Sequence, residues 1–492
     1  MLGEILVEEG LVTEADVENA LKFQGEHGGR LGECVVSMQL TSEEQIEEAI
    51  NKTPRAPTSL KEIDVDAMLL LQLMVKGLHV ENLETPSQIA RAMGLRSSLI
   101  KELLQDAVER KLVAVVGQKN GKGSAFSELR YELTQAGRDW AVELLALSQY
   151  FGPAPVTLDA YTVMVGRQHI TNDWLGRPDI QKAFEGLVIP DRFVDRLGPS
   201  INSGTAILVY GPAGNGKTTI AETVGGMFNS EIYVPYCFEV DGHIVKVFDP
   251  SVHKEVDSPS AGRSAASSTR PSSRDRRWVR CRRPLVITGG ELTLDMLDLK
   301  YSERSRFYEA PLHIKALNGV FVIDDFGRQL AAPGDILNRW ILPLNNRVDY
   351  LSLHTGKNFQ VPFDELVIFS TNLHPSDLMD DAFLRRISYK IEVGAPSEPL
   401  FRQVFEDVCR ESDIEFSEDI YHHVLKEIRG KDAPLAYYQP GFIARQILAS
   451  CKFVGIEPQF TMDNVNDALL NLFVTEDATA AGRRRDADSA RS

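Results

Sequence analysis

Residues 211–218 read Gly211-Pro212-Ala213-Gly214-Asn215-Gly216-Lys217-Thr218, and they follow the apolar run Ala206–Val209 almost directly. The chain from Thr218 to Gly225 then reads as a helix. A strand, a glycine-rich loop ending in Gly-Lys-Thr and a helix together form the arrangement that cradles phosphate. Glycines let backbone N–H groups curl around phosphate oxygens, and the helix N-terminus favours negative charge. On this reading Lys217 reaches the β- and γ-phosphates, Thr218 offers its hydroxyl to Mg²⁺, and the loop through Thr219 binds ATP.

Three further signals follow in order. Val320-Phe321-Val322-Ile323 is an apolar strand ending in Asp324-Asp325. In phosphate-loop enzymes such a strand lies beside the loop, and its first carboxylate, here Asp324, holds Mg²⁺. Asp325 is then either a base that reaches the attacking water or a short side chain that leaves turnover slow. Leu366–Phe369 is a second apolar run, followed by Ser370-Thr371-Asn372. Asn372 is placed to orient water beside the γ-phosphate, or is a turn residue at a strand end. Asp381-Ala382-Phe383-Leu384-Arg385-Arg386 closes a helical stretch. Arg385 and Arg386 read as fingers stabilising phosphate charge in a neighbouring subunit, or as a solvated helix end.

The whole chain has 492 residues, 53 Lys+Arg against 70 Asp+Glu, and a net charge of −17. That length predicts about three domains. With 43% hydrophobic and 25% charged residues the composition is that of a folded globular protein, which excludes wholesale disorder and collagen-like architecture. No stretch approaches the ~18 apolar residues of a membrane helix. The first ten residues carry no basic side chain and do not resemble a signal peptide. Five widely spaced cysteines without a Cys-x-x-Cys pair point to a reducing, cytoplasmic setting rather than to disulfides or a zinc cage.

The charge is unevenly placed. Residues 1–53 hold 12 acidic and 3 basic side chains and contain a repeat: Met1-Leu2-Gly3-Glu4 recurs as Arg30-Leu31-Gly32-Glu33. Each copy reads as a short helix, a turn and an amphipathic helix capped by Thr13 or Ser42. Residues 54–150 hold 12 acidic and 12 basic side chains, and 60–150 predict helices, then a β-hairpin, in the order of a winged helix-turn-helix, with Arg96–Lys111 as its second helix. Gly152-Pro153-Ala154-Pro155 reads as a stiff linker. Residues 251–283 hold 9 basic and 3 acidic side chains, with serine at 7 of the 16 positions from Ser258 to Ser273. They predict a disordered insert, its arginines solvated or touching an anionic partner. A helical segment, 396–475, and a disordered tail, 476–492, complete the chain.

The four motifs in this order resemble those of the AAA+ ATPases, over residues 165–475. They match a Walker A (Gly211–Thr218), a Walker B (Val320–Asp325), a sensor 1 (Asn372), arginine fingers and a helical lid. The resemblance implies a parallel αβα sandwich at 165–395, a lid at 396–475, ATP and Mg²⁺, and an oligomeric ring, commonly a hexamer. Asp325 departs from the usual Glu. The lid's sensor 2 has no arginine after Pro440, which leaves Arg445 as its candidate. Residues 1–53 resemble the MshEN-like N-terminal domain of type II secretion and type IV pilus assembly ATPases. Some of these bind cyclic di-GMP, although here Met1 replaces the motif's arginine, Gln39 a glycine and Thr53 a glutamine. The other reading of this module is protein docking. The fold class expected is therefore multidomain α+β and α/β. The function expected is an ATPase remodelling a protein client in secretion, pilus or motility systems, or a nucleotide-switched regulator acting on DNA through the winged helix.

Overall fold

The computed structural model describes residues 2–120, 127–256, 274–378 and 384–473. The chain divides into two compact units: Met1–Trp174, Phe228–Val322 and Gln329–Val367 form one, and Leu175–Met227, Ile323–Arg328 and Ile368–Ser492 form the other. The molecule is mixed α/β with a parallel sheet.

The first unit begins with two helix pairs, Leu2–Glu8 with Glu14–His27 and Leu31–Ser37 with Glu43–Lys52. Thr13 and Ser42 each accept a hydrogen bond from the amide three residues on, so each second helix starts with a capping box. The repeated glycines serve packing. A Cβ on Gly3 would lie 2.6 Å from Val17 Cγ1, and one on Gly32 would lie 3.3 Å from Leu2 Cδ2. Close helix approach thus accounts for the Leu-Gly pairs, and Leu6, Ala20 and Val35 close the small core.

Residues 60–150 contain the helices Ala67–Val80, Pro86–Met93 and Ser97–Glu109, and then an antiparallel pair, Val113–Asn120 with Ser127–Leu133. A further helix, Gln135–Leu147, packs its Ala141 and Leu144 into the same core as Leu71, Met74 and Leu104. The segment read as a linker is docked instead. Ala154 is buried, its N–H bonds to Met93 O at 2.8 Å, and Pro153 O accepts from Tyr150 Oη at 2.8 Å.

The expectation of a disordered 251–283 is corrected at both ends, and its centre, 257–273, lies outside the described residues, as does the tail from 474. Trp278–Arg282 is a strand paired antiparallel with Glu231–Pro235. Its alternate side chains Val279 and Cys281 enter the core, and Trp278 at its start joins them. Several of the neighbouring arginines find acceptors at home, while Arg276 and Arg282 are exposed. Buried Arg277 bonds Asp275 at 2.8 Å and Pro155 O at 3.1 Å. Buried Arg283 bonds Asp173 and Ser230 and the carbonyls of Gln168 and Asn318. Composition counts charges and not partners, so a paired arginine cluster read as a solvated loop. A mixed five-stranded sheet, Lys300–Tyr301, Tyr308–Glu309, His243–Lys246, Cys237–Val240 and Val156–Thr157 in spatial order, completes this unit.

In the second unit the strand Ile207–Tyr210 runs parallel to both of its neighbours, Leu366–Thr371 and Tyr389–Glu392. The Val320–Ile323 strand lies one strand further out, beyond Leu366–Thr371, so it is not a direct neighbour of the loop strand although its end reaches the loop helix. Four helices follow, Glu398–Glu411, Glu418–Gly430, Tyr438–Val454 and Met462–Leu472, around a core that includes Phe401, Phe405, Tyr421, Val424 and Ile443. No helix among the described residues is long and apolar enough to cross a membrane. All five cysteines are buried free thiols.

Candidate nucleotide site

The loop sits between the buried strand Ile207–Tyr210 and the helix Lys217–Gly226. Two of its glycines are required by both conformation and contact. Gly211 has φ +144°, and a Cβ there would meet Val393 O at 2.2 Å. Gly214 has φ +78°, and its Cβ would meet the Tyr438 ring at 2.2 Å. Both lie in the left-handed region, where a side chain is strained. Gly216, at φ +77°, is the residue that starts the helix.

Lys217 is buried, and its Nζ donates to Pro212 O across the loop at 3.0 Å. Burial pushes its ammonium below the usual lysine range, while the carboxylates of Asp325 and Asp324 pull the other way. Thr218 Oγ1 donates to Asp324 Oδ2 at 2.7 Å. Asp324 is half-buried in the turn after the strand Val320–Ile323, and exposed Asp325 follows with φ +46°. The turn is pinned from the far side. Phe326 N–H bonds Ser370 O at 2.7 Å, and the buried Thr371 hydroxyl donates to Phe326 O at 2.7 Å. Gly211 N–H bonds Thr371 O at 3.3 Å. Thr371 thus joins the loop's first glycine to the aspartate turn, and half-buried Asn372 is the next residue.

Beside the loop lies a cavity of about 680 Å³, within the range of small-molecule sites. Gly214, Asn215, Gly216 and Thr219 form one wall, Ile189, Pro190 and Phe193 another, and Val404, Val408, Tyr437 and Tyr438 the helical side. Two hydrogen bonds cross from the helical segment to the loop, Tyr438 N–H to Gly214 O at 3.1 Å and Tyr437 N–H to Asn215 Oδ1 at 3.3 Å. Gln439 fastens the start of that helix, accepting from Ala436 N–H and donating to Pro434 O.

The loop, Thr218, Asp324 and Asp325 are brought together, and Asn372 is adjacent through Thr371. Arg385 is exposed and Arg386 half-buried, just before the strand Tyr389–Glu392, while Asp381–Phe383 lie outside the described residues. Arg445 is exposed on the helix Tyr438–Val454 and curls back toward Gly441 rather than lining the cavity. Thr371, Tyr437 and the 186–193 wall were not foreseen. Thr371 had a local signal as the polar residue closing an apolar run, but the cavity wall had none.

Residues 397–471 match a family model described as a domain of unknown function, DUF8689. No curated protein matches the chain. Solved structures similar to it include the Thermotoga maritima RuvB Holliday junction branch migration motor, at 13% identity and TM-score 0.31, covering 62% of this chain and 73% of that one. Domain III of the Thermotoga maritima replication initiation protein DnaA is similar at 12% identity and TM-score 0.33, covering 60% and 97%. NtrX from Brucella abortus is similar at 14% identity and TM-score 0.36, covering 67% and 66%.

Proposed function

We propose that this site binds ATP with Mg²⁺ and hydrolyses it, in an AAA+ ATPase whose lid is the helical segment 396–475. The observation that carries the reading is the 2.7 Å hydrogen bond between Thr218 and Asp324. It sets a hydroxyl and a carboxylate oxygen side by side at the head of the loop helix, a donor set of the kind that hard Mg²⁺ prefers. Bound Mg²⁺ would offset the charge of the β- and γ-phosphates.

The protein's own groups supply the rest. The loop N–H groups and Lys217 hold phosphate, and the apolar cavity walls suit a base. Asp325 accepts a hydrogen bond from the attacking water, and Asn372 orients it. Arg385 and Arg386 act on a neighbour's site within a ring, and Arg445 is the lid's cation. The test is a fluorescent ATP analogue titrated into two variants. Lys217→Ala is expected to lose binding, and Asp325→Asn to bind without turnover. A Lys217→Ala protein that binds like the parent overturns the reading.

A protein client, in secretion, pilus or motility systems by the N-terminal resemblance, is favoured over DNA by the charges on the segment read as a winged helix. Arg110 pairs with Asp106 at 2.8 Å, and Arg130 lies 3.1 Å from Glu84 and 2.8 Å from Glu132. A DNA reader keeps such cations for phosphate. Stimulation of turnover by duplex DNA in a salt-dependent manner would reverse this preference.

A further inference from the structure

Asn215 has two ends with different fates. The Tyr437 N–H can only donate, so the oxygen of the Asn215 amide is the end that faces it, at 3.3 Å. The other end, Nδ2, is buried with no hydrogen-bond partner among the described residues. The residue as a whole is only 3% exposed. A buried donor without an acceptor is costly, so the arrangement is poised to change when an acceptor arrives. The neighbouring contact is equally tight, with the Tyr438 ring filling the space over Gly214 and its N–H bonded to Gly214 O. The helix that these tyrosines open has no side-chain cap, and Gly441 stands after Pro440.

We infer that Asn215 is a positioning residue that ties the helical segment to the phosphate loop and answers to what the loop holds. The inference rests on the nucleotide reading above. The side-chain oxygen holds the start of the helix Tyr438–Val454 against the loop. Phosphate entering the loop supplies acceptors next to the stranded Nδ2, the amide turns toward them, and the bond to Tyr437 is remade. The helical segment therefore registers nucleotide through a loop amide.

The test is hydrogen exchange of the backbone amides in 433–442, on the full chain, with and without a saturating non-hydrolysable ATP analogue and Mg²⁺. Binding of the analogue is measured separately for each protein. In the parent the segment is expected to exchange at least fivefold more slowly once nucleotide is bound. Asn215→Ala, which lacks both ends, is expected to exchange at least fivefold faster without nucleotide. Asn215→Asp keeps the acceptor and loses the donor. It is expected to match the parent without nucleotide and to lose the slowing at saturation. The Asp variant stands alone should the Ala variant fail to fold. An Asp variant that responds like the parent overturns the inference, as does a parent that binds nucleotide with no change in this segment. A parent that binds no analogue overturns the nucleotide reading itself, and the inference with it.

Discussion

Thr218 and Asp324, 106 residues apart in the chain, are joined by a 2.7 Å hydrogen bond. Neither residue is held there by the bond alone. Thr218 is fixed by the helix that the loop opens, and Asp324 by a turn whose third residue, Phe326, is bonded on both its N–H and C=O sides. The pair is a preset gap between two oxygens rather than a flexible contact.

Removing the charge at that gap separates metal-assisted binding from phosphate binding. Asp324→Asn keeps the size and an acceptor for Thr218. Its affinity for an ATP analogue in Mg²⁺ is expected to fall by roughly tenfold or more, with little further loss on adding EDTA. Equal Mg²⁺ dependence in variant and parent would show that Asp324 does not serve the metal.

Asp325 is the next carboxylate, exposed and left-handed in its backbone. Asp tolerates that conformation better than most residues, and Asn tolerates it as well. Asp325→Asn should therefore fold normally, and its phosphate release should drop about a hundredfold or more. Asp325→Glu, with one more methylene, is expected to retain turnover. Phosphate release from both variants at saturating ATP decides the matter.

Gly214 and Gly216 share nearly the same φ, but only Gly214 has the Tyr438 ring against it, while a Cβ at Gly216 would meet nothing within 4 Å. Alanine at either position carries the conformational strain, of about 1–3 kcal/mol. Urea denaturation should find Gly214→Ala less stable than Gly216→Ala, and Tyr438→Ala should narrow the difference. Two alanines of equal effect would mean the ring yields freely.

Glu365 is fully buried, and neither carboxyl oxygen has a hydrogen-bond partner among the described residues. Burial raises its pKa well above the usual carboxyl value, and the nearby Asp349 and Asp364 push the same way. The folded state thus holds a proton that the unfolded chain releases near pH 4.5. Stability is fully present below that pH and is lost as pH rises through the folded pKa. Glu365→Gln should remove this slope. Asp349 works in the opposite sense. Burial would raise it, but hydrogen bonds from His313 and Arg339 hold it down at about 2. Its contribution is present above about pH 4 and lost as pH falls toward 2, so Asp349→Asn should flatten the acid limb. Denaturation midpoints across pH 2–9 measure both effects.

The glycine-rich loop was legible because its pattern is contiguous: eight residues set both the turn and the kind of ligand it suits. Asp324 was legible because an apolar run ending in a carboxylate is a local pattern. The sheet neighbours were not, since buried strands look alike and their order depends on distant segments. Arg277 and Arg283 were misread for the same reason, their partners Asp275, Asp173 and Ser230 being invisible to a charge count. Tyr437 earns its place through a backbone N–H, which every residue but proline possesses.

The small N-terminal repeat is grafted onto the strand pair Glu231–Pro235 and Trp278–Arg282. Glu9 accepts from Tyr233 Oη at 2.9 Å and from Thr53 at 3.1 Å, and lies 3.8 Å from Arg280. Pro54 O takes the Asp275 N–H at 2.9 Å. A cut after residue 53, where the sequence suggests a clean seam, would strip one of two carboxylates from a mostly buried arginine, leaving it Glu231, and would leave the Tyr233 hydroxyl bare. The natural scissor point of this protein is consequently not where its composition changes, and a headless version would carry a wound on the very strand pair that flanks residues 257–273.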